Sequence, residues 1–156
     1  MRIQICAVGR LRTGPELSLI EDYLTRFGRT GRAIGLGPAS VQEVDERKAR
    51  TMDAQADALG RTIPSDAWIC CLDERGKALS SPDFAKVLQA QAERGVSVGC
   101  FVIGGADGLD KSLRQRADTS LSFGNMVWPH MLVRVMLAEQ LYRAATILTG
   151  GPYHRA

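Results

Sequence analysis

Two stretches of this chain, residues 67–72 and 96–103, consist almost wholly of apolar side chains, and each is bounded by turn-forming residues. A half-buried strand alternates apolar and polar residues, whereas continuous apolar runs of this length are typical of strands covered on both faces. Such strands belong to parallel sheets, whose connections are usually helices. The two runs therefore predict an α/β fold with a mainly parallel sheet flanked by helices.

The rest of the chain fits the same alternation. Between the two apolar runs we predict a helix with Ser81 as N-cap and Pro82 at the first helical position, ending near Gly95. Periodicity predicts strands at 2–8 and 119–123, a weak strand at 33–36 within the loops of 28–40, and helices at 15–27, 46–60, 110–117 and 129–148. At 156 residues the chain is expected to be a single domain, 1–156.

Composition narrows the class of protein further. The apolar runs are far shorter than the roughly 18 residues of a membrane span, and the N-terminal run lacks a cleavage site, so we expect a cytoplasmic protein with no membrane partner. The four cysteines lie in apolar segments without metal-site spacing, which predicts buried free thiols and no metal. A formal net charge of +3, with 16 arginines among the 20 basic residues, permits RNA as a partner without requiring it.

Function is expected where the predicted strands end, because ligands of open parallel sheets bind beyond the carboxyl ends of strands. The loops at these ends are 73–79, 104–109 and 124–128. Gly104, Gly105 and Gly108 let a ligand approach the backbone closely, but their spacing is neither a dinucleotide fingerprint nor a P-loop. A plain tight turn explains the same glycines. Met126, Val127 and Trp128 predict an apolar wall, and the backbone of this loop could bind the edge of an adenine ring.

Two groups of polar residues suit contact with a nucleic acid. His130 and Arg134 lie four residues apart and share one face of the last predicted helix, which suggests an anionic ligand such as a phosphate. A histidine in the first turn of a helix is equally well interpreted as a cap for the helix backbone. Tyr153, His154 and Arg155 place an aromatic ring, an imidazole and a guanidinium at the tip of a glycine-containing arm. A disordered tail would have the same composition.

A set of short motifs is spread over nearly the whole chain, and their combination is specific although each alone is weak. The motifs are residues 5–9, Leu72-Asp73 with Gly76-Lys77, 101–105 with Gly108-Leu109, 121–123, Pro129-His130, Arg134-Val135, 139–144 and 152–155. In these motifs the chain resembles the small bacterial methyltransferases that modify N3 of a pseudouridine in large-subunit ribosomal RNA. Those enzymes belong to the SPOUT class of knotted α/β methyltransferases. Residues 28–60 add little to the likeness.

The resemblance implies a C-terminal trefoil knot, a homodimer packed through the knotted region, and S-adenosylmethionine as methyl donor, with no metal. It implies 23S ribosomal RNA, in the large subunit or the whole ribosome, as substrate. Carried over residue by residue, it places donor contacts at Leu72, Gly104, Phe123, Gly124, Asn125, Met126, Val127 and Trp128. Gly124, Asn125 and Val127 vary within the family pattern, so we expect backbone atoms to bind the donor there.

The same resemblance suggests roles for the polar groups. We expect Arg134 and Arg155 to stabilise phosphate or developing negative charge, and His130 or His154 to position or deprotonate the target base. The tail, with Tyr153, is expected to come from the other protomer. Two other functions stay open: a catalytically silent RNA-binding module of the same fold, which would not bind the donor, and a regulatory domain that binds nucleotides through their phosphates.

Overall fold

The computed structural model describes residues 1–155, in which strands and helices alternate. The strands are β1 (Arg2–Val8), β2 (Ala39–Val44), β3 (Trp68–Ala78), β4 (Val98–Ile103) and β5 (Thr119–Ser122). The helices are α1 (Pro15–Gly31), α2 (Met52–Thr62), α3 (Ser81–Glu93), α4 (Lys111–Arg116) and α5 (His130–Leu148). Every strand pairing is parallel, in the order β2-β1-β4-β3-β5, which confirms the predicted fold class.

The central strands are buried on both faces, as their apolar sequences predict. Successive side chains of a strand point to opposite faces, so Phe101 belongs to the core under α1, α3 and α5, while Val102 belongs to the core under α2 and α4. All six residues of β4 are buried. The four cysteines are buried free thiols, which confirms that prediction.

The segment 28–60 departs most from its prediction. The weak strand at 33–36 is wrong: α1 continues to Gly31, a single 3-10 turn covers Arg32–Ile34, and the edge strand is β2. Because β2 lies at the sheet edge, alternate residues stay exposed and the apolar signal is weak.

The helix predicted to begin near Glu46 begins at Met52 instead. The Asp45 side chain accepts a hydrogen bond from the Arg47 backbone N–H at 3.0 Å and holds a turn there. The Thr51 hydroxyl then caps α2 by accepting from the backbone N–H of Ala54 at 3.2 Å. The turn held by Asp45 and the cap at Thr51 therefore delay the start of the helix.

Two boundaries around α3 also differ from prediction. β3 continues past Leu72 to Ala78 after an irregularity in its pairing with β5, so much of the expected loop 73–79 is strand. Ser80 rather than Ser81 caps α3, accepting from the backbone N–H of Asp83. The Ser81 hydroxyl instead donates to Gln140 of α5 at 2.8 Å.

The longest helix, α5, packs chiefly on α1 and α3. Its inner face buries Leu137, Leu141, Ala144 and Ala145 completely. No helix among the described residues is both long and apolar enough to cross a membrane.

Candidate active site

A cavity of about 440 Å³ lies at the carboxyl edge of the sheet, where the exits of β3, β4 and β5 meet. The register brings them together: Leu72 of β3 lies beside Ile103 of β4 on one side and Leu121 of β5 on the other. Of the eight predicted donor contacts, seven line this cavity: Leu72, Gly104, Phe123, Gly124, Met126, Val127 and Trp128. Asn125 is exposed and is not among the lining residues.

The loop after β4 presents bare backbone to the cavity. Gly104 is buried, and a Cβ at this position would overlap the Gly108 carbonyl and approach the Leu109 nitrogen to 2.9 Å. The loop closes on itself through a bond from the Gly108 N–H to the Gly105 carbonyl at 3.0 Å. Gly108 has φ +82°, which favours glycine. The tight packing of this loop on its own backbone therefore requires glycine at position 104.

Gly104→Ala is expected to force this loop open and weaken donor binding about 100-fold, which corresponds to about 2.7 kcal/mol. The reason is that the overlapping neighbour is backbone, which cannot rotate away. Titration calorimetry with S-adenosylmethionine measures the effect.

Gly95→Ala is the matched control. Gly95 has φ +80° but open space around its Cβ position, and it precedes β4 at the opposite edge of the sheet. It should cost about 1–2 kcal/mol of stability and leave donor affinity unchanged. Equal donor affinity in both variants would show that the loop after β4 is not part of the donor site.

The cavity has an apolar wall and a charged side. Met126, Val127 and Trp128 are 70%, 82% and 39% exposed, so the wall offers a large unpartnered apolar surface. On the charged side, Arg114 Nη1 lies 3.6 Å from Asp73 Oδ2, and Asp107 is nearby. Sequence reasoning assigned no role to Arg114, because only the packing of α4 against the end of β3 brings it to the cavity.

His130 lines the cavity at the start of α5, but its ring nitrogen Nε2 is buried. Among residues 1–155, its buried Nε2 has no hydrogen-bond partner, and it lies 3.2 Å from where a Cβ on Gly9 would stand. Burial lowers the pKa of His130, the adjacent Arg134 charge lowers it further, and Glu46 opposes both. The imidazole is therefore held neutral at the cavity wall, with Nε2 turned towards the end of β1.

Arg134 does not occupy the open position that the sequence suggested. Its side chain is only 1% exposed, and its Nη1 donates to Glu43 Oε1 at 2.9 Å. Its Nη2 donates to the carbonyls of Val8 and Gly9 at 2.5 and 2.6 Å. The expectation that Arg134 contacts phosphate is therefore corrected: the guanidinium joins α5 to the ends of β1 and β2 inside the fold.

The C-terminal tail is ordered by a helix-capping turn. The Gly151 N–H bonds the Thr146 carbonyl at 2.8 Å, and the Gly150 N–H bonds the Ile147 carbonyl. With Gly150 at φ +69°, this is a Schellman motif. It turns the chain back along α5, so the tail is a packed segment in this structure.

The tail packs against the second half of α5 in its own chain. The Tyr153 ring lies 4.6 Å from the Tyr142 ring, and its hydroxyl donates to Glu139 Oε1 at 3.0 Å. The Arg143 guanidinium lies over the Tyr153 ring and 3.5 Å from His154 Nδ1. Burial and the bond to Glu139 raise the pKa of Tyr153, so the phenol stays protonated. The Glu139–Arg143 ion pair of α5 thus anchors the tail through both of its side chains.

The tail residues do not reach the cavity of their own chain. Tyr153, His154 and Arg155 are absent from its lining, whereas His130 is present. The structure therefore brings together the three strand-end loops and His130, and it leaves the tail apart from them within one chain. Within residues 1–155, no group of three or more His, Cys, Asp or Glu side chains is arranged to hold a metal ion.

Comparison with known proteins places the chain in a family. A family model described as a predicted SPOUT methyltransferase matches residues 1–154. Proteins named ribosomal RNA large subunit methyltransferase H are 66% identical in Ruegeria pomeroyi, and 63% identical in Dinoroseobacter shibae and Roseobacter denitrificans. Each match extends over 155 residues and covers 99% of both chains. The chain therefore belongs to the SPOUT methyltransferase family, and this membership implies the C-terminal trefoil knot.

Proposed function

We propose that this chain is an S-adenosylmethionine-dependent methyltransferase that acts on N3 of a pseudouridine in large-subunit (23S) ribosomal RNA. Its family and the name shared by its relatives support the reaction and the substrate class. The structural observation that carries the proposal is the single cavity lined by Leu72, Gly104 and Met126, which come from three separate strand-end loops.

The cavity fits the donor in size and in polarity. Its 440 Å³ falls within the range of roughly 300–1,000 Å³ common for small-molecule sites. Met126, Val127 and Trp128 suit the flat apolar faces of adenine, and the backbone of this loop suits its polar edge. Asp73 and Arg114 carry the charges that would complement the ammonium and carboxylate groups of the donor. When bound, the donor supplies an electrophilic methyl group on a sulfonium.

The acceptor side of the site is completed in a homodimer. Because the tail of each chain lies outside its own cavity, we assign the base-handling groups to the tail of the other protomer. There the partner subunit's His154 takes the N3 proton, and the partner subunit's Arg155 stabilises the resulting negative charge. His130, neutral and turned inward, positions the cavity wall. The enzyme acts as a single domain, in the cytoplasm, and without a metal.

Methyl transfer from isotope-labelled donor tests this proposal directly. The purified protein should label large ribosomal subunits or whole ribosomes, and mapping should locate the methyl group on N3 of one pseudouridine. Naked 23S RNA is expected to be the poorer substrate, because so small a protein offers little surface for reading a long sequence. Absence of donor binding at millimolar concentration would indicate a silent RNA-binding module, and competition by nucleoside phosphates would indicate a nucleotide-binding regulator.

A further inference from the structure

The positive charge of this protein is concentrated on two loops outside the cavity. The loops after β1 and β2, residues 9–14 and 45–51, contain five of the twenty basic residues and two of the seventeen acidic ones. Fifteen basic and fifteen acidic residues remain elsewhere, so the formal net charge of +3 resides entirely on these loops. We call their basic residues the basic edge: Arg10, Arg12, Arg47, Lys48 and Arg50.

The sheet places the basic edge beside the cavity. Val8 of β1 lies next to Val44 of β2, and Ala7 next to Ile103 of β4, so these three strands end level with one another. Neighbouring strands lie about 4.8 Å apart, which puts the end of β2 about 10 Å from the end of β4. The two loops therefore leave the sheet at the edge where the cavity opens.

Direct contacts join the basic edge to the cavity rim. The Gln55 side-chain amide donates to the Ala49 carbonyl at 3.2 Å. The Gln55 carbonyl oxygen lies 3.1 Å from the Cβ position of Gly105, in the loop after β4. Met52, which directly follows the loop of residues 45–51, lines the cavity. Gln55 thus contacts both the loop that carries Arg47, Lys48 and Arg50 and the loop after β4.

Hydrogen bonds fix the backbone of both loops, and their basic side chains are exposed to solvent. The Leu11 N–H donates to Glu43 Oε1 at 2.9 Å, and the Gly9 N–H donates to the Val44 carbonyl at 2.8 Å. Buried Ala49 anchors the second loop from below. All five basic residues are exposed. Arg10 lies 3.7 Å from Asp45, whereas Arg12, Arg47 and Lys48 form no ion pair within residues 1–155.

We propose that the basic edge binds the ribosomal RNA phosphates that flank the target nucleotide. This rests on the proposed function, since it takes the target base to meet the donor at the mouth of the cavity. Cations on loops whose strands end about 10 Å or less from the end of β4 suit phosphate contacts, which position the nucleic acid without reading its sequence. Counterion release then makes the binding depend on salt concentration.

The experiment compares two triple variants with the same change in charge. Arg12→Gln, Arg47→Gln and Lys48→Gln together remove three of the four basic-edge cations that form no ion pair within residues 1–155. Arg29→Gln, Arg32→Gln and Arg94→Gln remove three exposed cations at the ends of α1 and α3, near the opposite edge of the sheet. Equilibrium binding to large ribosomal subunits and to protein-free 23S RNA is measured over a series of salt concentrations, and donor binding is measured separately.

The basic-edge variant is expected to bind subunits and 23S RNA at least about tenfold more weakly. It should also lower the slope of log affinity against log salt by about 2, at roughly 0.7 for each lost contact. Donor affinity should stay at the wild-type value. Equal weakening in the control variant, or a loss confined to subunits and absent with 23S RNA, would overturn the proposal. A wild-type protein that transfers no methyl group contradicts the proposed function instead, while the binding comparison still decides the role of the basic edge.

Discussion

Arg134→Met is expected to lower the free energy of unfolding by about 3–5 kcal/mol, as is usual when one partner of a buried ion pair is removed. The substitution strands the Glu43 carboxylate and leaves the carbonyls of Val8 and Gly9 without their donor. Chemical denaturation followed by circular dichroism measures the loss. Arg134→Lys keeps the charge but replaces Nη1 and Nη2 by a single nitrogen, which cannot lie within bonding distance of Glu43 and both carbonyls in the same way, so it should fold with an intermediate loss of stability.

Arg26→Met is the matched control, because Arg26 is also paired with a carboxylate, Asp22, but both partners are about half exposed. Exposed pairs contribute at most about 1 kcal/mol, so this variant should remain close to wild type. If Arg134→Met melted like the wild type while losing affinity for RNA, the buried bridge would be the wrong description and the direct phosphate contact first suggested by the sequence would be right.

Removal of residues 153–156 is expected to reduce methyl transfer by about a hundred- to ten-thousand-fold, the usual contribution of a positioned acid or base. Donor affinity should change less than about twofold, because the groups assigned to the donor belong to the strand-end loops that line the cavity and not to the tail. Loss of the Tyr153 contact with Tyr142 should cost about 0.5–1.5 kcal/mol of stability. Removal of Ala156 alone is the control, and parallel loss of donor binding would contradict the assigned role.

Mixed dimers extend this test to the origin of the tail. One protomer lacks residues 153–156, and the other carries Gly104→Ala in its cavity. If the tail serves the partner's cavity, the mixed dimer contains one complete site and regains up to half of the wild-type activity per dimer. If each tail serves its own chain, neither site is complete, and at donor concentrations near the wild-type Kd the mixture stays almost inactive.

The sequence predicted what depends on local signals. The apolar run of β4 predicts its burial on both faces. The Ser-Pro pair predicts the start of α3 to within one residue. The prediction for residues 28–60 was wrong because β2 is an edge strand with little apolar signal, and because the turn at Asp45 and the cap at Thr51 delay the start of α2.

The sequence alone could not predict which side chains pair across the fold. Spacing placed His130 and Arg134 on one helical face correctly, but only the fold shows that the partner of Arg134 is Glu43, 91 residues away, and that both groups turn inward. The knot likewise came from family likeness, because the rarity of knots argues against one in any single chain. The convergence of the three strand-end loops was predictable because parallel strands end at one edge.

The bare main chain at Gly104 also affects how readily resistance to an inhibitor of this protein could arise by mutation. A compound that hydrogen-bonds to main-chain groups there meets atoms that no side-chain exchange can remove, and any larger residue at position 104 collides with Gly108. Resistance by point mutation would have to arise at side chains elsewhere in the lining, such as Met126, Val127, Trp128 or Arg114, so a compound anchored mainly on the main chain would leave few routes of escape.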